Sequence, residues 1–130
     1  MTTETLSEQL FSDETYAIRG AIFEVYKEMG NGWAEEVYQQ CLERELKSRG
    51  IPFVSKPQLL VYYKGAPIEK RYVPDLICYE SIIVELKAVS ACSQENIAQI
   101  INYLKMTKKH LGLLVNFGAY PKVEIHRYAN

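Results

Sequence analysis

The hydrophobic spacing of this chain changes period along its length, and the order of those periods restricts the fold more than any single residue does. Ile18, Ile22, Val25 and Met29 step by four, three and four, which marks one face of a helix. Ser12-Asp-Glu-Thr ahead of them supplies an N-cap candidate with acids in the first turn, and Gly30-Asn31-Gly32 stops the helix. A second helix is predicted from near Trp33 through Val37, Tyr38, Cys41, Leu42 and Leu46, with Gly50 and Pro52 ending it. Runs rich in β-branched and aromatic residues follow at 58–64, 68–78 and 81–89, with a turn at 65–67. Ser93 opens a third helix whose apolar stripe is Ile97, Ile100, Ile101 and Leu104, and Lys105, Lys108 and Lys109 suit its negative pole. Residues 111–116 are apolar like a buried strand, and 123–128 alternate like an edge strand. The expected order is α-α-β-β-β-α-β-β. It implies an α/β fold with a mixed β-sheet flanked by helices, because the late strands must return past the crossover helix.

A length of 130 residues argues for a single domain over 1–130, with the polar residues 1–12 as a loose N-terminal tail. The 48% hydrophobic and 12% aromatic content excludes a disordered chain. No apolar run approaches the ~20 residues that span a bilayer, so no membrane partner is expected. The start, Met1-Thr-Thr-Glu-Thr-Leu, is acidic where a secretory leader would be basic and then apolar, which points to the cytoplasm. Fifteen basic against sixteen acidic residues exclude nucleic-acid binding by bulk positive charge, though not a local basic patch.

Cys41, Cys78 and Cys92 are odd in number and match neither zinc nor iron–sulfur spacing, so they read as buried free thiols in a reducing compartment. His110 and His126 have no partner at metal-ligand spacing and read as surface or edge residues. There is no glycine-rich phosphate loop, Ser/His/Asp array or dinucleotide fingerprint.

The chemistry-bearing stretch is 72–87. If it folds as a hairpin with Tyr79, Glu80 and Ser81 as a three-residue loop, Asp75 falls opposite Glu85, with their Cβ atoms ~5 Å apart on one sheet face. Lys87 shares that face and Leu86 points away. A two-residue loop would send Asp75 to the other face. Flanking Leu76, Ile77, Ile82, Ile83 and Val84 imply partial burial, which worsens the repulsion between the acids. A divalent cation between them would remove that cost, and two hard oxygen ligands suit Mg²⁺ or Mn²⁺ better than zinc. The plainer alternative is a surface salt-bridge cluster.

Pro74-Asp75 followed by Glu85-Leu86-Lys87 matches the signature of the PD-(D/E)XK nuclease superfamily, and Gly32-Trp-Ala-Glu35-Glu-Val-Tyr38 resembles the name motif of its GxxExxY proteins. The resemblance extends from about Ile18 to Asn116 and implies a PD-(D/E)XK nuclease-like core. It implies Asp75, Glu85 and Lys87 as catalytic residues, with Asp75, Glu85 and Glu35 as metal ligands. A first-turn acid stabilised by the helix dipole is an equally natural reading of Glu35. Gln99-Ile-Ile-Asn-Tyr103 resembles the QxxxY motif of the RecB-like branch; these two residues share a helix face away from Ile97, Ile101 and Leu104 and would position substrate.

The expected function is metal-dependent phosphodiester hydrolysis, with Mg²⁺ (or Mn²⁺) as cofactor and nucleic acid, DNA first, as substrate. Lys64, Lys70, Arg71, Lys105, Lys108 and Lys109 would touch the backbone or serve as solvated charges. With little chain left over for a recognition domain, a homodimer or a separate protein partner would provide reach. The alternative is a non-cleaving nucleic-acid-binding or protein-interaction module that retains the fold.

Overall fold

A computed structural model describes residues 11–129; the tail expected over 1–12 lies outside them except for Phe11 and Ser12. Helix α1 (Ser12–Met29) buries Ile18, Ile22 and Val25 as their spacing requires, with Thr15 and Ala21 beside them. Its cap differs from expectation. Ser12 is already helical, and the N-cap is Phe11 in the left-handed region with no side-chain hydrogen bond. The charges of Asp13 and Glu14 complement that end of the dipole. Helix α2 (Glu35–Ser48) begins after Trp33 and buries Tyr38, Gln39, Leu42 and Leu46.

Strands β1 (Phe53–Ser55), β2 (Leu59–Tyr63), β3 (Ala66–Tyr72), β4 (Leu76–Cys78) and β5 (Ile82–Lys87) precede helix α3 (Gln94–Thr107) and strands β6 (Leu111–Asn116) and β7 (Glu124–Ala129). Five of them form one mixed sheet in the order β1-β4-β5-β6-β7. The β5–β6 pair is parallel and the other three are antiparallel. Helix α3 provides the crossover that a parallel pair needs. The α/β class and the mixed sheet are as expected.

The strand count is not. Residues 68–78, expected as one strand, divide at Val73-Pro74-Asp75, where Pro74 has no amide hydrogen to give a ladder. The part before the break, β3, pairs only with β2 in a separate two-stranded sheet. The part after it, β4, enters the main sheet beside β1, a short strand the sequence reading did not anticipate. Ala66 and Pro67 belong to β3, because the turn is made by Lys64 and Gly65 at positive φ (49° and 82°). The observed order is α-α-β-β-β-β-β-α-β-β.

Alternation sorts the sheet's two faces. Leu76, Cys78, Ile82, Val84 and Leu86 pack with Ile18, Ile22, Tyr38, Leu42 and Leu46 of α1 and α2. Ile77 and Ile83 point the other way and pack with Ile100, Tyr103 and Leu104 of α3. Among the described residues no helix is long and apolar enough to cross a membrane. The three cysteines are free; Cys78 is in the core, where burial pushes its thiol up to about 12, and Cys41 and Cys92 are half-buried. His110 and His126 are exposed, the latter on the edge strand β7, 3.3 Å from Glu124 Oε2.

Candidate active site

The β4–β5 hairpin turns through Tyr79, Glu80 and Ser81, with Tyr79 and Glu80 at positive φ (53° and 58°) and Ser81 N donating to Cys78 O at 3.0 Å. Cys78 pairs with Ile82, Ile77 with Ile83 and Leu76 with Val84. The three-residue loop therefore holds, and one step further along the same register brings Asp75 opposite Glu85. Their side chains lock the ends of the two strands together. Glu85 Oε1 accepts from Asp75 N at 2.7 Å, and Asp75 Oδ2 accepts from Leu86 N at 2.7 Å. Glu85 and Lys87 alternate with buried Ile83 on the α3 face of the sheet.

Both acids are raised above the ordinary carboxylate range. Glu85 is only 4% exposed, and burial, with the Asp75 charge next, pushes it up to about 8. For Asp75 burial is again the main cause, with the Leu86 amide acting against it and the Glu35 charge adding to it. Lys87 favours the ionised form of both.

Helix α2 reaches the pair from the opposite face, and the Gly32–Tyr38 segment explains how. Gly32 sits at φ 106°, which favours glycine. Tyr38, fully buried, donates its hydroxyl to Gly30 O at 2.6 Å and accepts from Trp33 N at 3.3 Å. Its ring stacks on Phe117 at 4.4 Å between centroids. This anchors the start of α2, so that the charge of exposed Glu35 acts on both Asp75 and Glu85. Replacing Tyr38 by phenylalanine keeps the stack and deletes the bond to Gly30. The expected loss is about 1 kcal/mol, read as a lower urea midpoint by circular dichroism; an unchanged midpoint would mean the hydroxyl does not hold the turn.

Sequence reasoning missed Gln39, one helical turn after Glu35. It is buried, and its Nε2 donates to Asp75 O at 3.0 Å and to Glu43 Oε2 at 2.8 Å. The available signal was a polar residue next to Tyr38 and three before Leu42 on a buried helix face.

On the α3 side, Ser93 and Asn96 form a capping box. Gln99 Oε1 lies 3.4 Å from Lys87 Nζ, which orients the lysine beside the acids. Tyr103, expected off the apolar stripe, is instead buried with Ile100 and Leu104, while Ile101 turns outward. Burial and the nearby Glu85 and Asp75 charges push the Tyr103 hydroxyl up to about 12. The helix is rotated relative to the expected stripe, which brings the 99/103 face onto the sheet.

Asn116 was also missed as a site-building residue. Fully buried at the end of β6, it accepts from Val89 N at 3.1 Å and Gly118 N at 3.0 Å and donates to Val89 O at 2.9 Å. Phe117 N adds a bond to Lys87 O at 2.8 Å. A Cβ at Gly118 would overlap the Val89 backbone, so glycine is required for this close approach. The chain leaving Lys87 is thereby clamped.

The structure thus brings together Asp75, Glu85, Lys87, Gln99 and Tyr103, with Glu35 facing them from α2. Glu35 does not close a three-carboxylate cluster: among the described residues no group of three or more His, Cys, Asp and Glu side chains is arranged to hold a metal ion. The donor chemistry nevertheless fits a hard divalent cation. Two adjacent carboxylates are held against their charge repulsion, and each has only one oxygen engaged by a backbone amide. The carboxamide oxygen of Gln39, whose Nε2 holds the Asp75 backbone carbonyl, is buried without a hydrogen-bond partner.

A family model described as the PD-(D/E)XK nuclease superfamily matches residues 12–128. Among solved structures, that of SSO0001 superposes with a TM-score of 0.57 at 16% identity, covering 74% of this chain. This chain spans only 50% of that one. An alkaline exonuclease from Laribacter hongkongensis (LHK-Exo) gives a TM-score of 0.43 at 12% identity, covering 99% of this chain and 72% of that one. No curated protein matches the sequence significantly.

Proposed function

The chain belongs to the PD-(D/E)XK nuclease superfamily, and from that membership we propose that it is a Mg²⁺-dependent nuclease of the GxxExxY group, cleaving phosphodiester bonds in DNA. The observation that carries the proposal is the pairing of half-buried Asp75 with buried Glu85, with Lys87 on the same sheet face. Two acids desolvated together and facing a lysine are costly as structure alone, and their arrangement makes sense as a cation site.

Asp75 and Glu85 would hold the metal, with the backbone carbonyl of Leu86 as a further ligand; Glu35, which does not close the cluster, would act on the site through its charge. When bound, the cation would polarise the scissile phosphate and lower the pKa of a water. Lys87, oriented by Gln99 and clamped behind by Asn116, would align a water and neutralise charge developing on the phosphate oxygens. Gln99 positions the substrate strand over the pair, and Tyr103, one helical turn on and buried, supports that helix face against the sheet. Gln39, through the Asp75 carbonyl, positions the Asp75 backbone rather than touching substrate.

The test is incubation with linear, circular and single-stranded DNA and with RNA, each in Mg²⁺, in Mn²⁺ and in EDTA. Metal-stimulated cleavage of DNA that EDTA abolishes is expected. Cleavage unaffected by EDTA would overturn the metal role. The non-cleaving alternative draws on the missing third carboxylate and the near-neutral charge. It predicts salt-dependent binding with no product in any of these mixtures.

A further inference from the structure

The β2–β3 hairpin stands apart from the main sheet, its strands pairing only with each other. Its root is fastened to the candidate active site. Leu59 and Tyr72 pair across it and pack on the α3-side core, and the Tyr72 ring meets Tyr103 edge-on at 6.1 Å. Tyr103 in turn feels the charges of Glu85 and Asp75.

One face of the hairpin continues outward from that root. The β2–β3 pairing shifts register between Leu60 and Tyr62, where Ile68, Glu69 and Lys70 stand against Val61; the two extra residues keep the parity, so Val61 and Tyr63 stay on the root face with Leu59, and Leu60 and Tyr62 lie on the other. Tyr63 stands ~13 Å beyond the root. Lys70, two residues from Tyr72, holds its ammonium 5.3 Å above the Tyr72 ring, and Lys64 lies 5.5 Å from the Tyr63 ring. Each ring on this face therefore carries a lysine beside it. Across residues 59–72 three cations (Lys64, Lys70, Arg71) face a single acid, Glu69, in a chain whose net charge is −1. Tyr63 is 66% exposed, and Tyr62 on the other face is nearly as exposed at 60%.

An exposed aromatic ring with an ammonium over one face matches a polynucleotide whose bases are unstacked, since the ring's other face takes a base and the cation a phosphate. A duplex hides its base faces and could use only the lysines. We propose that the β2–β3 face bearing Tyr63, Lys64 and Lys70 grips a single-stranded stretch of nucleic acid adjoining the bond presented to Asp75 and Glu85. Tyr63 stacks on a base and the two lysines meet phosphates. This rests on the nuclease reading above and specifies its substrate as one with a single-stranded segment.

The test is fluorescence anisotropy of the whole chain in EDTA, which permits binding without cleavage, using labelled oligothymidylate, oligouridylate and a DNA duplex of equal length. Tyr63→Ala is expected to weaken oligothymidylate binding on the order of tenfold and duplex binding far less. Lys70→Ala should reduce the slope of log affinity against log salt by about 0.7 on the single strand. Tyr62→Ala, on the opposite face, should bind like the parent chain. Oligouridylate reports whether the gripped strand can be RNA. The proposal is overturned if Tyr63→Ala and Tyr62→Ala behave alike, or if Tyr63→Ala weakens duplex and single strand equally. Either result with a cleaving parent leaves the nuclease reading standing, whereas a parent that neither binds nor cleaves any polynucleotide removes both. Exposure of Tyr63 keeps the fold out of the comparison, and matching circular dichroism spectra check that.

Discussion

Lys87→Ala is expected to lower the cleavage rate by a factor on the order of 10²–10³, the size seen when one preorganised donor is removed from developing charge. The reason is its placement. Lys87 is half-buried at the end of β5, on the face shared with Glu85, and the only hydrogen bond from its ammonium among the described residues goes to Gln99 at 3.4 Å. That leaves two ammonium hydrogens for water or phosphate. Asn116 and Phe117 hold the backbone behind it, so the loss should appear in turnover rather than in folding. Lys87→Arg keeps the charge but spreads it over a planar fork, and should recover only part of the rate. Single-turnover assays at saturating metal measure the effect. A Lys87→Ala chain that cleaves at the parent rate would remove the lysine from the mechanism.

The second large effect concerns stability and has an unusual sign. Glu85 is raised from 4.5 to about 8 in the folded chain. Between those values the native state keeps a proton that the unfolded state has released, so stability falls as pH rises. The loss begins above pH 4.5 and is complete above about 8, opposite to a carboxylate held by a salt bridge. Asp75 is raised by the same burial and adds a change of the same sign. Glu85→Gln keeps the shape and an oxygen to accept from Asp75 N, and removes the charge. In EDTA at pH 8 the variant should melt above the parent chain, while at pH 4.5 the two should coincide. Added Mg²⁺ at pH 8 should raise the melting temperature of the parent and leave the variant unmoved, and the variant should not cleave. Thermal scans across pH, with and without metal, decide it. A Glu85→Gln chain that is less stable than the parent at pH 8 in EDTA would mean the carboxylate contributes a net favourable contact, and the cation-site argument would lose its basis.

The two predictions draw on features of different legibility. The Asp75–Glu85 juxtaposition was readable because a hairpin's register follows from its loop length, and a loop at Tyr79–Ser81 leaves no freedom in which residues oppose each other. Alternation then assigned Lys87 to the acids' face. Gln39 and Asn116 were not readable in the same way. Each matters because of a bond to a backbone group far along the chain, Asp75 O for one and Val89 for the other, and no local pattern records such a partner. Tyr103 shows a third situation. The QxxxY spacing marked it, but its burial depended on how α3 rotates against Ile77 and Ile83.

Period and punctuation by themselves determined the three helices and the apolar run of β6, because these rest on patterns within a few residues, and they placed Asp75 opposite Glu85 only on the condition of a three-residue loop. Whether 68–78 stays in one sheet, where the two-stranded arm stands, and which helices bring Glu35, Gln99 and Tyr103 around the pair were decided only by the tertiary structure. A strand's alternation says which residues share a face. It does not say which neighbour that strand will pair with, since partner choice is settled by packing energy gathered from the whole core.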